Sequence, residues 1–229
     1  MNTKTKTQLT LDPFTVKVLT NFASINNGLV VKSGNEIRTM TEGKTVLAEA
    51  TLPDTFPVDF AIYDLRQMLN FVSTLFDKPT MEFTGVSVEI TNDNDKTKIF
   101  YCNPDLISSP SKRITMPSED ITLQMSEETL KKITKSASIL GVDDLKISSV
   151  DNMIELEVLD KTNSSTNTWS TKTSGINNSE FTVYLKISNL KLLEGDYQIT
   201  ISNKGITRFK HMNNDVRYYI AAEADSKFN

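Results

Sequence analysis

The chain has 229 residues with a formal net charge of −4, 38% apolar and 24% charged residues, and only 8 Gly and 7 Pro. This excludes a disordered or fibrous protein and a generic basic nucleic-acid module, and leaves room for one large domain or two ordinary ones. The single cysteine, Cys102, rules out an intrachain disulfide, a thiolate zinc site and a CxxC redox pair. We expect it to be a small buried residue at the end of a strand. The opening residues lack an apolar signal core, and no apolar run approaches the ~18 residues that span a bilayer. The expectation is an intracellular protein in a reducing compartment, with no membrane partner.

In chain order, residues 7–11 alternate as a short strand, and Asp12-Pro13 is a helix start, with Asp as N-cap and Pro at the first helical position. The following helix presents Val16, Leu19, Phe22 and Ala23 at the spacing of one face. Three β-type runs come next, LVVKS, EIRTM and TVLAEATL. VDFAIY then reads as a strand and Asp64 as a cap. The helix after it packs through Leu65, Met68, Leu69, Val72 and Leu75, and TMEFT, VSVEIT and KTKIFYC follow as strands.

The second half repeats this order. DITLQM is the strand and Ser126 the cap, and a helix packs through Leu130, Ile133, Ala137 and Leu140. LKISSV, MIELEVL and a weaker NTWSTK are the next strands. FTVYLKI is again a strand, Ser188 caps a short helix through Leu192 and Leu193, and YQITIS, ITRFKHM and VRYYIAA close the chain. Val16, Leu19 and Ala23 stand 4, 7 and 11 residues after Asp12, as Leu130, Ile133 and Ala137 do after Ser126. Each half is therefore a βαβββ unit written twice. The expected organisation is an N-terminal domain over 1–102, a Pro- and Ser-rich connector over 103–120, and a C-terminal domain over 121–229.

Placed at 100° per residue, the outward helix positions beyond the first turns are basic or neutral. They carry Lys17, Arg66, Lys131, Lys132 and Lys135, interspersed with Thr, Asn, Ser and Gln and with no acid. Bases toward a helix C-terminus also complement the dipole, so any one helix alone is explained as a solvated face. The three together predict a common basic surface that meets phosphates without reading bases.

Enzymatic motifs fail on inspection. Gly43-Lys44-Thr45 imitates the end of a phosphate-binding loop, but Arg38 stands where that motif needs Gly, and a strand follows where a helix is required. His211 is the only histidine, which excludes a His-based metal cluster; it alternates with Phe209 in a predicted edge strand and reads as a surface residue. Asp93-Asn94-Asp95 and Asp143-Asp144 read as turn residues rather than metal ligands. Phe209, Tyr218 and Tyr219 read as core and cross-strand packing rather than base-stacking aromatics. No catalytic residue, metal or cofactor is expected.

LTNFASINNG at 19–28, FAIYDL at 60–65, EGDYQITI at 194–201 and the ending YYIAAEADS at 218–226 resemble the sliding DNA clamp, or DNA polymerase processivity factor, of T-even-type tailed bacteriophages. The resemblance implies an α+β clamp fold, with two duplicated domains per subunit in a homotrimeric ring, helices lining the hole and sheets outside. It further implies sequence-independent encirclement of duplex DNA and tethering of the replicative DNA polymerase. Loading by an ATP-driven clamp loader, late transcription with a co-activator and a sigma-like factor, and residence in the cytoplasm of the infected bacterial host follow from the same resemblance. On this basis Lys17, Arg66, Lys131, Lys132, Lys135 and Lys191 are expected to face DNA, although a basic position of relatives falls on Thr20 here. Ile107, Ile114, Met116, Tyr219 and Ala221 are the candidate partner-peptide pocket, with plain interdomain packing at least as good a reading for each. The competing reading is a non-enzymatic β-rich virion component whose lysines are merely solvated.

Overall fold

The computed structural model describes residues 7–151, 153–177 and 180–228. Two compact units divide between Ser111 and Lys112. In the first, β1 (Thr7–Leu9) leads to α1 (Pro13–Ile25), β2 (Leu29–Val31), β3 (Gly34–Met40) and β4 (Val46–Phe56). The pattern then recurs as β5 (Phe60–Ile62), α2 (Leu65–Asn70), β6 (Thr80–Phe83), β7 (Ser87–Asn92) and β8 (Asp95–Phe100). The opening strands are exchanged between the two modules: β1 pairs with β6, giving the order β1-β6-β7-β8, and β5 pairs with β2, giving β5-β2-β3-β4. All these pairings are antiparallel.

The second unit repeats the exchange. Its elements are β9 (Ile121–Met125), α3 (Glu127–Leu140), β10 (Asp144–Val150), β11 (Met153–Leu159), β12 (Trp169–Thr173), β13 (Gly175–Asn177) and β14 (Phe181–Lys186). β15 (Tyr197–Ser202), β16 (Ile206–His211), β17 (Val216–Ala221) and β18 (Lys227–Phe228) complete it. β9 joins β15-β16-β17, and β14 joins β10-β11-β12. The short β13 and β18 each add a two- or three-residue ladder at an edge, against β9 and β14.

The caps form as the sequence predicts. Asp12 accepts a hydrogen bond from the Phe14 N–H, Asp64 from Gln67 and Ser126 from Thr129. Gly141 closes α3 in the left-handed region at φ 68°, a conformation open to Gly without a Cβ penalty. α1 packs on β3 and β4 and beside α2, and α3 packs on β11. Facing strands send Leu145, Ile147, Ile154, Leu156, Val158 and Val183 into a core where each is fully buried. Each such side chain contributes ~1.5–3 kcal/mol relative to exposure.

Several expectations are corrected. The α1 stripe turns through Val18 rather than Val16, which is half-exposed. Leu140 is likewise only half-buried. Leu75 is 66% exposed and Phe76 is buried in its place. The cause is a single π-helical turn over Phe71–Leu75, closed by the Phe76 N–H on the Phe71 carbonyl at 3.1 Å, which inserts one residue and rotates the apolar face. Ser188 caps no helix: Ile187–Asn189 is a single 3₁₀ turn, and Leu190 and Leu193 are the buried residues. Asp144 opens β10 rather than sitting in a turn; it is buried and salt-bridged to Lys186 at 2.6 Å. Cys102 is half-buried just past β8, and burial raises its thiol pKa.

His211 is the largest departure. It is 3% exposed, and β16 lies between β15 and β17 rather than at an edge. Its Nε2 donates to the Glu194 carbonyl at 3.0 Å, and Nδ1 accepts from the Asn213 and Asn214 N–H groups, so its partners place the ring N–H on Nε2. The aromatic expectation agrees with the structure: Phe209 and Tyr218 are fully buried and Tyr219 is 6% exposed.

Candidate nucleic-acid interface and partner groove

The outward sides of the helices are set by what their inward sides bury. In α1, burying Val18, Leu19 and Phe22 leaves Lys17 and Thr20 exposed. In α2, burying Leu65, Met68 and Leu69 exposes Arg66, Gln67 and Asn70. Arg66 is also anchored, its Nε donating to the Ala23 carbonyl of α1 at 3.1 Å. In α3, Leu130, Ile133 and Ala137 point inward, while Lys131, Lys132, Lys135 and Ser138 are exposed.

The lysines of α3 are not equivalent. Lys131 contacts Glu127 at 2.5 Å and Lys132 contacts Glu128 at 2.7 Å, both as i,i+4 pairs. The Glu127 carboxylate raises the Lys131 pKa, and the Lys132 ammonium lowers that of Glu128. Among the described residues no carboxylate pairs with Lys135. These pairs were legible in the spacing of SEETLKKITK, where each acid stands four residues before a lysine. The outward field of α3 is therefore one unpaired charge and two partly neutralised ones.

Lys191 is exposed but not helical. It follows the Ile187–Asn189 turn, its N–H bonded to the Asn189 carbonyl at 2.8 Å. Two buried tyrosines hold the next residues: Tyr197 Oη donates to the Leu193 carbonyl, and Tyr218 Oη accepts from the Leu193 N–H at 3.0 Å. Burial pushes both phenol pKa values up.

The five expected pocket residues fall in both units. Ile107 belongs to the first, where it is 8% exposed and packs over Gly28; a Cβ on that glycine would lie 2.9 Å from it. The Asn26 side chain bonds the Ser108 carbonyl at 3.0 Å, and Asn103 caps the short turn Pro104–Leu106. A groove of 880 Å³ runs between β3 and this segment, lined among others by Arg38, Met40, Lys44, Leu106 and Ile107. Of these lining residues the sequence singles out only Ile107 for a pocket, because nothing in a run of turn residues states which strand it lies along.

Ile114, Met116, Tyr219 and Ala221 belong to the second unit. The first two and Ala221 are half-exposed, and Tyr219 is buried, paired in register with Arg208. The approach to β9 is tied down there: Ser118 Oγ shares a hydrogen bond with Ser202 Oγ at 2.6 Å, and Glu119 meets Arg208 at 2.9 Å. Asp120 accepts from the Ser118 hydroxyl at 2.6 Å and from the Asn203 N–H at 2.7 Å, and these bonds lower its pKa.

No group of acids, His and Cys that could hold a metal occurs among the described residues. Among the same residues no helix is long and apolar enough to cross a membrane.

Among solved structures, the proliferating cellular nuclear antigen of Entamoeba histolytica superposes with a TM-score of 0.69 at 14% identity, covering 94% of this chain and 97% of that one. The fold is thus that of the DNA clamps, built from helix-backed, duplicated β-modules. The DNA polymerase processivity factor family matches residues 11–116. The chain is 30% identical over 221 residues to the sliding clamp of Vibrio phage KVP40, spanning 93% of this chain and 99% of that protein. It is 28% identical to the sliding clamp of Escherichia phage RB69, spanning 93% and 96%. The chain belongs to the phage sliding clamps, the DNA polymerase processivity factors, a non-enzymatic family.

Proposed function

We propose that three copies of this chain close into a homotrimeric ring that encircles duplex DNA and slides along it while tethering the replicative DNA polymerase. Retention is then topological, so each phosphate contact can be weak and exchangeable, and movement along the duplex stays fast. The observation that carries the reading is the set of exposed cations on α1, α2 and α3, with acids confined to the first turn of α3. Lys17, Arg66, Lys131, Lys132, Lys135 and Lys191 face the duplex in this reading.

A ring of identical subunits needs a heterologous contact between two different surfaces of one chain. β8 in the first unit and β12 in the second each end a sheet within their own unit, and Phe100 on β8 is 69% exposed. Pairing of one copy's β8 with another's β12 satisfies both edges. Partner tails, from the polymerase, an ATP-driven clamp loader, and the co-activator and sigma-like factor of late transcription, dock at the Ile107 groove and at Ile114, Met116 and Ala221, over the buried Tyr219. The setting is the cytoplasm of an infected bacterium.

The test is retention on closed circular against linear duplex after loading, with solution mass measured in parallel. The reading expects a trimer and release that is fast only from linear DNA; equal release from both, or a monomer under loading conditions, defeats it.

A further inference from the structure

The two helices of the first unit meet at a point where one cation is held rather than dangling. Arg66 gives its Nε–H to the Ala23 carbonyl in the last turn of α1, at 3.1 Å. This bond fixes the plane of the guanidinium and leaves the N–H groups of both Nη atoms to point elsewhere. The Arg66 side chain lines a 460 Å³ groove between α1 and α2, together with Thr20, Ser24, Asn70, Ser73 and Thr74 among others and with no carboxylate.

The donors of this groove sort themselves. Thr20 Oγ1 donates to the Val16 carbonyl at 2.8 Å, Ser24 Oγ to Asn21 at 2.6 Å and Ser73 Oγ to Leu69 at 2.8 Å, so these three hydroxyls spend their hydrogens on their own helices. Among the described residues the Asn70 amide and the Thr74 hydroxyl have no partner. Asn70, Thr74 and the Arg66 fork therefore remain as donors around an acid-free hollow. A group accepting from several donors in that space carries multiple oxygens and negative charge, as a tetrahedral phosphate does.

We infer that the α1–α2 junction is a directional seat for one backbone phosphate of the duplex, gripped by the anchored Arg66 fork with Asn70 and Thr74. This rests on the duplex-encircling reading for the source of the phosphate, but not for the existence of the seat. It distinguishes Arg66 from the α3 lysines, which act as screened point charges. A lysine at position 66 keeps the charge but loses both the anchor on Ala23 and the planar fork.

The experiment compares the full chain with Arg66→Lys, Arg66→Ala and Asn70→Ala, using two probes. A short linear duplex at low salt is read by anisotropy, and inorganic phosphate is read by the ¹⁵N–¹H signal of Arg66 Nε. The seat predicts that Arg66→Lys and Arg66→Ala weaken duplex binding alike, roughly three- to tenfold. It further predicts that Asn70→Ala, which leaves the Ala23 anchor intact, weakens it about twofold, and that phosphate shifts the Arg66 signal saturably. Arg66→Lys behaving as wild type, or an Arg66 signal indifferent to phosphate, overturns the seat. Duplex binding that fails in the wild type while phosphate still shifts Arg66 would count against the DNA reading and leave the seat standing.

Discussion

The second module of each unit begins alike, with a strand and then a polar residue at the cap position, yet only one of the two builds a helix. Between β5 and β6 the chain runs from residue 63 to 79 and winds α2 plus a π turn. Between β14 and β15 it runs only from 187 to 196 and makes a 3₁₀ turn. A helix needs its nucleating turn repaid by further turns, and the shorter segment has no room for them. The turn is stabilised from outside instead: Tyr197 and Tyr218 bond both polar groups of Leu193, and His211 bonds the Glu194 carbonyl. One module thus carries its own local structure, whereas the other borrows it from strands β15 to β17. The difference also sorts the cations, since Arg66 rides a helix and Lys191 does not.

The largest effect should come from breaking the borrowed support. Gly195 has φ +139°, and a Cβ there would lie 2.3 Å from His211 Nε2. Gly195→Ala therefore combines backbone strain with displacement of the buried imidazole and should cost roughly 2–4 kcal/mol. At ~2–4 °C of Tm per kcal/mol for a chain of this size, thermal unfolding should shift by about 5–15 °C. A shift below about 2 °C would mean that the turn does not lean on His211.

A smaller pair of changes sharpens the same contrast. Asp64 is a true N-cap, accepting from the Gln67 N–H at 2.9 Å, and Asp64→Ala should cost about 1 kcal/mol. Ser188 occupies the matching place but spends its hydroxyl on Asp143 at 2.7 Å, while its own N–H bonds the other oxygen of that carboxylate. Ser188→Ala leaves the backbone bond intact and should cost no more than about 0.5 kcal/mol. Chemical denaturation of the two variants side by side checks the difference; equal losses would make Ser188 a cap in function.

Why one of these modules was readable and the other was not follows from where the information lies. Strands β7, β11, β15 and β17 show in their alternation, and the caps Asp12, Asp64 and Ser126 in their spacing, because each is a local pattern. The missing helix after Ser188 was not local: Leu192 and Leu193 imitate the stripe of Met68 and Leu69, and the tyrosines that satisfy the turn come later in the chain. His211 misled for the same reason, since its burial depends on Gly195 and on strands flanking β16. Of the candidate site, the exposure of the helix cations was legible because a helix has only one far side. Their partners were less so: the Arg66 anchor on Ala23 crosses from α2 to α1, and the groove beside Ile107 needs a coil segment placed against β3. Leu75 failed because one inserted residue in a π turn leaves no mark in composition.

The smallest predicted effect separates the α3 lysines from Arg66. Replacing both acids, Glu127→Gln with Glu128→Gln, unpairs Lys131 and Lys132 without adding a cation to the face. If α3 meets phosphates as a field of point charges, affinity for a short duplex at low salt should rise about two- to threefold. The salt slope should then steepen by up to about two phosphate equivalents. Lowering the pH should release Lys132 from Glu128 only late. The Glu128 pKa is held below its ordinary 4.5 by Lys132, so that pair persists as the pH falls past 4.5 and breaks only below. Titration of the Glu128 carboxyl by NMR, in parallel with duplex binding, tests both halves. A double variant with unchanged salt slope would place Lys131 and Lys132 away from the duplex and leave the first unit's helices as its principal contact.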